Sequence, residues 1–239
     1  MNSTKLRFFT RQFRPDVRPV ADPANDKIIV SAWEASPYNV RHDVKLHDQF
    51  WVISRPYSLQ EIFTASQQRL APRRLGLSGV SFLSAYNHHR WHAPVSGTIA
   101  QTYLIDGTYY SDAESEGVDP GGLNDVQGYT TAIAARAVIV IDCDEPAIGQ
   151  VGCVFVGMAE GSSCVVEALR GQRVKKGKEI DYFQYGGSTY CLIFELGVSI
   201  ASCRSRRFTT MRRRSRSTDT SRRRNGSKYI SRFLSRGRI

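Results

Sequence analysis

A mainly β (α+β) chain with a few short helices is expected from three observations. Val, Ile, Phe and Tyr gather in short runs; Gly, Pro, Asn and Asp punctuate the gaps; and 41% hydrophobic with 10% aromatic residues over 239 positions can bury a sizeable core. Residues 1–26 form a polar lead-in, with Phe8, Phe9 and Phe13 as anchors and Pro15, Pro19 and Pro23 as breakers. Strands are expected at 28–32, 44–53, 97–104, 137–141, 151–156 and 191–194, where β-branched and aromatic residues concentrate. A helix is expected over 58–68, since Ser58 can cap it and Glu61 follows three residues later. A second helical turn is expected over 85–91, ended by Pro94. No internal repeat stands out.

Charge divides the chain. Lys and Arg number 33 against 22 Asp and Glu, a net charge of +11. Residues 199–239 hold fourteen of the basic residues and one acid, Asp219, so 1–198 is close to neutral at −2. The expected organisation is a folded domain over 1–198 and an Arg/Ser-rich, disordered tail over 199–239, which has too little apolar surface to fold alone. As a polyanion-binding arm the tail would reach nucleic acid or anionic lipid through salt-sensitive phosphate contacts; otherwise it is a solvated extension.

No apolar run approaches the roughly 18 residues of a membrane-spanning helix, and the longest, at 132–141, is interrupted by Arg136. The first residues lack a secretory hydrophobic core. Cys143, Cys153, Cys164, Cys191 and Cys203 are odd in number and contain no C-x-x-C pair, which argues against a disulfide framework or a cysteine zinc site. A reducing compartment fits: cytoplasmic, or peripheral on an internal membrane, and not secreted.

Three segments draw attention for chemistry. Asn87 to Pro94 holds three of the five histidines. The i,i+4 spacing of His88 and His92 suits a metal on one helix face, but no acid lies between them and Pro94 leaves little helix, so no metal is expected. Acid–base work by paired imidazoles, which titrate near neutrality, is the stronger functional reading; packed histidines without chemistry are the plain one. Tyr185-Gly186-Gly187-Ser188-Thr189 precedes an apolar run and can be an anion nest, a tight turn, or a scissile bond with Ser188 as the attacking hydroxyl. The stretch 151–164 reads as a strand with a Gly/Ser loop lining a pocket, or as a plain hairpin, and matches neither glycine-rich phosphate motif.

The order and spacing of the three are more telling than any one. His89-Arg90-Trp91-His92-Ala93-Pro94-Val95-Ser96-Gly97, then Val156-Gly157 with Ser162, then Lys176-Gly177-Lys178-Glu179 through Gly187-Ser188-Thr189, resembles the phosphatidylserine decarboxylase family. Phe8-Phe9-Thr10-Arg11 through Arg18-Pro19 and Tyr57-Ser58-Leu59 agree, so the likeness covers roughly residues 8–198. The wording of 32–38 and 87–92 is similar to a soluble fungal branch that includes decarboxylases of free aromatic amino acids such as tryptophan. The family's closing core strands give way here at Ser199 to the Arg/Ser stretch, and the upstream region is short against eukaryotic members, so the domain reads as shortened at both ends.

The resemblance implies a proenzyme that takes up no added cofactor. Ser188 attacks the Gly187 carbonyl, the chain divides into 1–187 and 188–239, and a pyruvoyl group is left where Ser188 stood. The two products stay associated. His92 matches the histidine that activates the serine. Glu34 best matches the family's acid, with Asp43 in reserve, giving a Glu34–His92–Ser188 set with triad logic. The pyruvoyl ketone condenses with the substrate amine and serves as electron sink while carbon dioxide leaves. His89 matches the histidine near the carboxylate and the reprotonated carbon. Arg90 pairs either with a substrate anion or in a structural salt bridge. The implied fold is mostly β, with 174–194 similar to a biotinyl-type half-barrel.

The leading expectation is conversion of phosphatidylserine to phosphatidylethanolamine. Its rivals are decarboxylation of a free aromatic amino acid, and an inactive relative that binds polyanions through its tail. Phospholipid or amino acid is the expected partner, peripheral membrane contact is in keeping, and nucleic acid is not expected.

Overall fold

Among the described residues the fold is built mostly from antiparallel strands. The computed structural model describes residues 10–14, 17, 19–33, 36–42, 50–52, 55–57, 63, 75–83, 88–108, 133–157, 164–184, 188–195, 198–203, 208–213 and 229–232. In chain order the strands among them are β1 (Ser36–His42), β2 (Phe50–Val52), β3 (Arg55–Tyr57), β4 (Leu75–Leu83), β5 (Arg90–His92), β6 (Gly97–Ile105), β7 (Arg136–Cys143) and β8 (Gln150–Gly157). Then come β9 (Cys164–Val165), β10 (Arg173–Val174), β11 (Glu179–Phe183), β12 (Ser188–Glu195), β13 (Val198–Cys203), β14 (Phe208–Arg213) and β15 (Tyr229–Arg232).

Seven strands form the main sheet in the order β1-β4-β12-β8-β7-β6-β10, with every neighbouring pair antiparallel. A second sheet, β5-β11-β9, is separate, as are the three-stranded β13-β14-β15 and the hairpin β2-β3. The basic stretch past residue 198 thus contains three strands of its own.

Strands β7 and β8 are buried along nearly their whole length, which explains their unbroken apolar composition: both faces of the sheet are covered. Period-two alternation divides their side chains. One face carries Ile139, Ile141, Cys153, Phe155, Tyr190 and Phe194 into a core with Trp33, Trp91 and Phe183. The other carries Val138, Val140, Val154, Val156, Cys191 and Ile193 against Phe63 and Ile105. The β5-β11-β9 sheet packs on the first of these faces. Trp91 stacks on Phe155 with ring centroids 4.1 Å apart, and meets the edge of Phe183 at 4.6 Å.

The expected strands at 97–104, 137–141, 151–156 and 191–194 are present in β6, β7, β8 and β12. The expected strand at 28–32 is not. These residues are buried but irregular, and they bond singly to the end of β5 and the bend after it: Val30 N–H to the Pro94 carbonyl (3.0 Å), and His92 N–H to the Ala32 carbonyl (2.8 Å). Of the helical turn expected over 85–91, residues 85–87 lie outside the described residues, and 88–91 are not helical. Residues 90–92 are strand β5, because their backbone pairs with β11 and alternation sends Trp91 into the core. Of the helix expected over 58–68, only Phe63 lies in the described residues, helical and fully buried; of 44–53, only β2 does. Helix among the described residues is confined to Phe63 and Ile133. The strands within 174–194 belong to two sheets, with β10 and β12 in the main one and β11 in the smaller.

Glycine is required where β7 turns into β8. Gly149 has φ +70°, and a Cβ there would lie 2.5 Å from the carboxyl carbon of Glu195 on β12, whose Oε1 accepts the Gln150 N–H at 2.9 Å. Gly149→Ala is therefore expected to lower stability by about 1–3 kcal/mol, read as a lower urea midpoint at unchanged slope.

Candidate active site

Two of the three segments singled out in the sequence lie on neighbouring strands, β8 and β12, and the histidine segment lies on β5 of the smaller sheet. Ser188 opens β12, which lies between β4 and β8, and its backbone is registered with Leu83 on one side and Gly157 on the other. Gly157 closes β8, the first half of the 151–164 segment. On the chain just before Ser188, β11 ends at Phe183, whose N–H donates to the His89 carbonyl at 2.9 Å. Two residues on, Tyr190 lies on the sheet face against which β5 and β11 pack.

A hydrogen-bonded connection joins that face to the histidine block. The Tyr190 hydroxyl lies 2.7 Å from Ser31 Oγ, and Ser31 Oγ also bonds the Trp33 carbonyl. Trp33 Nε1 donates to the His88 carbonyl, and its ring meets the His89 imidazole edge-on at 5.6 Å. His89 is fully buried. Sequence reasoning missed Ser31, Trp33 and Tyr190 as a connecting set, although all three adjoin segments already in view.

Burial decides the charge of the neighbouring imidazoles. His92 is held below the ordinary histidine range chiefly by desolvation; Glu179 and a bond to the Arg90 backbone oppose this, and the Arg90 charge reinforces it. His88 is pushed down to about 3, first by burial and then by His92, Arg11, Arg90 and His89. It sits between Phe13, stacked at 3.9 Å, and His92 at 5.8 Å. Both rings are therefore neutral near pH 7, the state in which an imidazole accepts a proton.

Arg90 is occupied within the protein. Its Nε and Nη2 donate to the Thr10 carbonyl at 2.9 and 2.7 Å, its Nη1 pairs with Glu179, and its guanidinium lies over the Tyr182 ring at 4.9 Å. Of the two readings of Arg90, the salt bridge is the one formed. Asp181 is a further buried acid with no sequence signal. Its Oδ1 accepts the N–H groups of Glu167 (2.5 Å) and Ala168 (3.3 Å), and burial raises its carboxyl to about 6. Burial likewise raises the thiols of Cys143 to about 11 and of Cys164 and Cys191 to about 12, so none is a ready nucleophile.

Glu34, its reserve Asp43, and Gly187 lie outside the described residues. Trp33, one residue before Glu34, is in the cluster just described. Among the described residues no group of three or more His, Cys, Asp and Glu is gathered to hold a metal ion.

The sequence profile of the phosphatidylserine decarboxylase family matches residues 6–210. The chain is 36% identical over 198 residues to the decarboxylase iboD of Amanita muscaria, covering 78% of this chain and 57% of that one. It is 36% identical over 197 residues to an L-tryptophan decarboxylase of Psilocybe cubensis, covering 77% and 44%. It is 29% identical over 194 residues to phosphatidylserine decarboxylase proenzyme 3 of Schizosaccharomyces pombe, covering 80% and 19%. The chain thus spans about half the length of the first two. With a profile match reaching from residue 6 to residue 210 of the 239, the chain belongs to the phosphatidylserine decarboxylase family.

Proposed function

We propose that the chain is a self-processing carboxy-lyase that removes the carboxylate of an α-amino acid group, using a pyruvoyl group formed from Ser188. The observation that carries this reading is the position of Ser188. It is the first residue of a strand, so division after Gly187 cuts between β11 and β12 and leaves both sheets whole. The residues present suit such a group: Thr189 and Tyr190, directly beyond, are buried, and β12 is hydrogen-bonded along both edges to β4 and β8. The same pairing would hold a 188–239 fragment to 1–187.

In this reading the Ser188 hydroxyl attacks the Gly187 carbonyl and the Gly187–Ser188 C–N bond breaks to give an ester, with neutral His92 taking the hydroxyl proton and Glu34 orienting His92. Elimination then frees the Gly187 carboxylate, and hydrolysis at position 188 releases ammonia and leaves the ketone. The pyruvoyl group supplies a carbonyl that binds the substrate amine and accepts the electron pair released with carbon dioxide. His89 delivers the proton to the carbon that has lost its carboxylate, and the packed rings of Trp33, Trp91, Phe155 and Phe183 keep water from that face. The half-barrel likeness of 174–194 and a peripheral membrane contact belong to the same proposal.

Phosphatidylserine is the substrate named for the family. A second reading, a free aromatic amino acid, is favoured by the 36% identity to an L-tryptophan decarboxylase against 29% to a phosphatidylserine decarboxylase proenzyme. Carbon dioxide release from phosphatidylserine vesicles and from free L-tryptophan separates the two. Release from either supports the carboxy-lyase; release from neither, by a chain that has divided, removes both substrates.

A further inference from the structure

The Arg90–Glu179 pair is placed to do more than tie two strands together. Glu179 is the cross-strand partner of His92 in the β5–β11 ladder, so its carboxylate stands on the neighbouring strand opposite the imidazole. Backbone pairing of β11 with β5 keeps it there, and 35% of its side chain is exposed. Arg90, two residues before His92, pairs with it. Only 14% of the Arg90 side chain is exposed, and it is fixed from three directions: by the Thr10 carbonyl, by the Glu179 carboxylate and by the Tyr182 ring. Each of these three partners lies on a different stretch of chain from β5, two of them on β11. The charged groups acting on His92 among the described residues are then Glu179 from β11 and Arg90 from its own stretch of chain, with the His88 ring stacked 5.8 Å away.

We propose that Arg90 and Glu179 are positioning residues for His92, a held pair of opposite charges that sets the proton affinity of the imidazole while anchoring residue 10 beside it. This rests on the reading of His92 as the base in self-cleavage. Burial disfavours the imidazolium, Glu179 favours it, and Arg90 disfavours it. The two partners therefore oppose each other at His92 even though they stabilise each other, and this separates tuning from scaffolding. A structural pair predicts the same consequence from losing either member. A tuning pair predicts consequences of opposite sign.

The test uses the full chain carrying Ser188→Ala, so that no division intervenes, and follows the His92 imidazole by NMR titration, assigned with His92→Gln. Glu179→Gln is expected to move the His92 titration to lower pH by about half to one unit, and Arg90→Gln to move it higher by a similar amount. With Ser188 restored, the acid limb of the self-cleavage rate is expected to move in the same two directions. Arg90→Lys and Glu179→Asp keep the charges, so they should restore the titration most of the way; they also serve where a glutamine variant does not fold. Shifts of the same sign, or none, overturn the proposal. If the shifts are opposed but His92→Gln with Ser188 intact still divides at the normal rate, the charge pair stands and the base assignment falls.

Discussion

Self-cleavage is expected to slow by about 10²–10⁴-fold in His92→Ala, the range lost with a positioned general base. His92 is suited to that work because burial holds it neutral, and a neutral imidazole can take the Ser188 hydroxyl proton at pH 7 without first losing its own. The serine hydroxyl alone is a weak nucleophile, so the residual rate reflects what backbone geometry at Gly187–Ser188 supplies unaided. His89→Ala is expected to behave differently. If His89 serves the later decarboxylation, the chain divides and then releases little carbon dioxide. Gel analysis of division over hours, beside carbon dioxide release from the divided product, distinguishes the two. Equal loss of division in both variants would merge their roles into one.

Trp91→Ala is expected to remove about 3–5 kcal/mol of stability, a large share of the roughly 5–15 kcal/mol that holds a domain together. Trp91 is fully buried and is the principal bolt between the two sheets, face to face with Phe155 on β8 and edge-on to Phe183 on β11. It also carries its neighbours: His92 follows it on β5 and His89 precedes that strand by one residue. A cavity here therefore loosens both imidazoles along with the core. Trp91→Phe should retain most of the stability. The indole N–H is buried with no hydrogen-bond partner among the described residues, so its removal offsets part of the lost area. Urea midpoints of the two variants check the ordering. An alanine variant as stable as the phenylalanine one would mean that this contact does not join the sheets.

What the sequence showed of this fold follows from how each element is buried. Strands β7, β8 and β12 were legible because a strand covered on both faces becomes an unbroken apolar run. Residues 28–32 have the same composition for a different reason. They are a buried single span whose few backbone bonds go to Asn25, His92 and Pro94, and composition cannot tell that from a ladder. At β5 two histidines four apart suggested a helix face, whereas the deciding residue is the tryptophan between them, turned inward by pairing with β11. Strand β4, LGLSGVSFL, was passed over because its two glycines and two serines weaken the strand signal; its place between β1 and β12 is set by pairing.

The candidate site was legible through the order of its segments along the chain, and less so through any one of them. The structure pairs the β8 and β12 parts of that order in the main sheet, and the β5 and β11 parts in the smaller one. Its supporting contacts were not legible. Arg90 reaches Thr10 and Glu179, each 80 or more residues away, and Tyr190 reaches Ser31 across 159. Such partners are brought together only by sheet packing, and no local pattern announces them.

Intact mass of the freshly purified chain, with and without borohydride and beside Ser188→Ala, bears most directly on whether Ser188 becomes an electrophile. The expected result is two co-purifying fragments ending at Gly187 and beginning at position 188, the smaller one gaining mass on reduction, while Ser188→Ala stays whole. A single undivided mass, unchanged by borohydride and matching the variant apart from the serine oxygen, would contradict it.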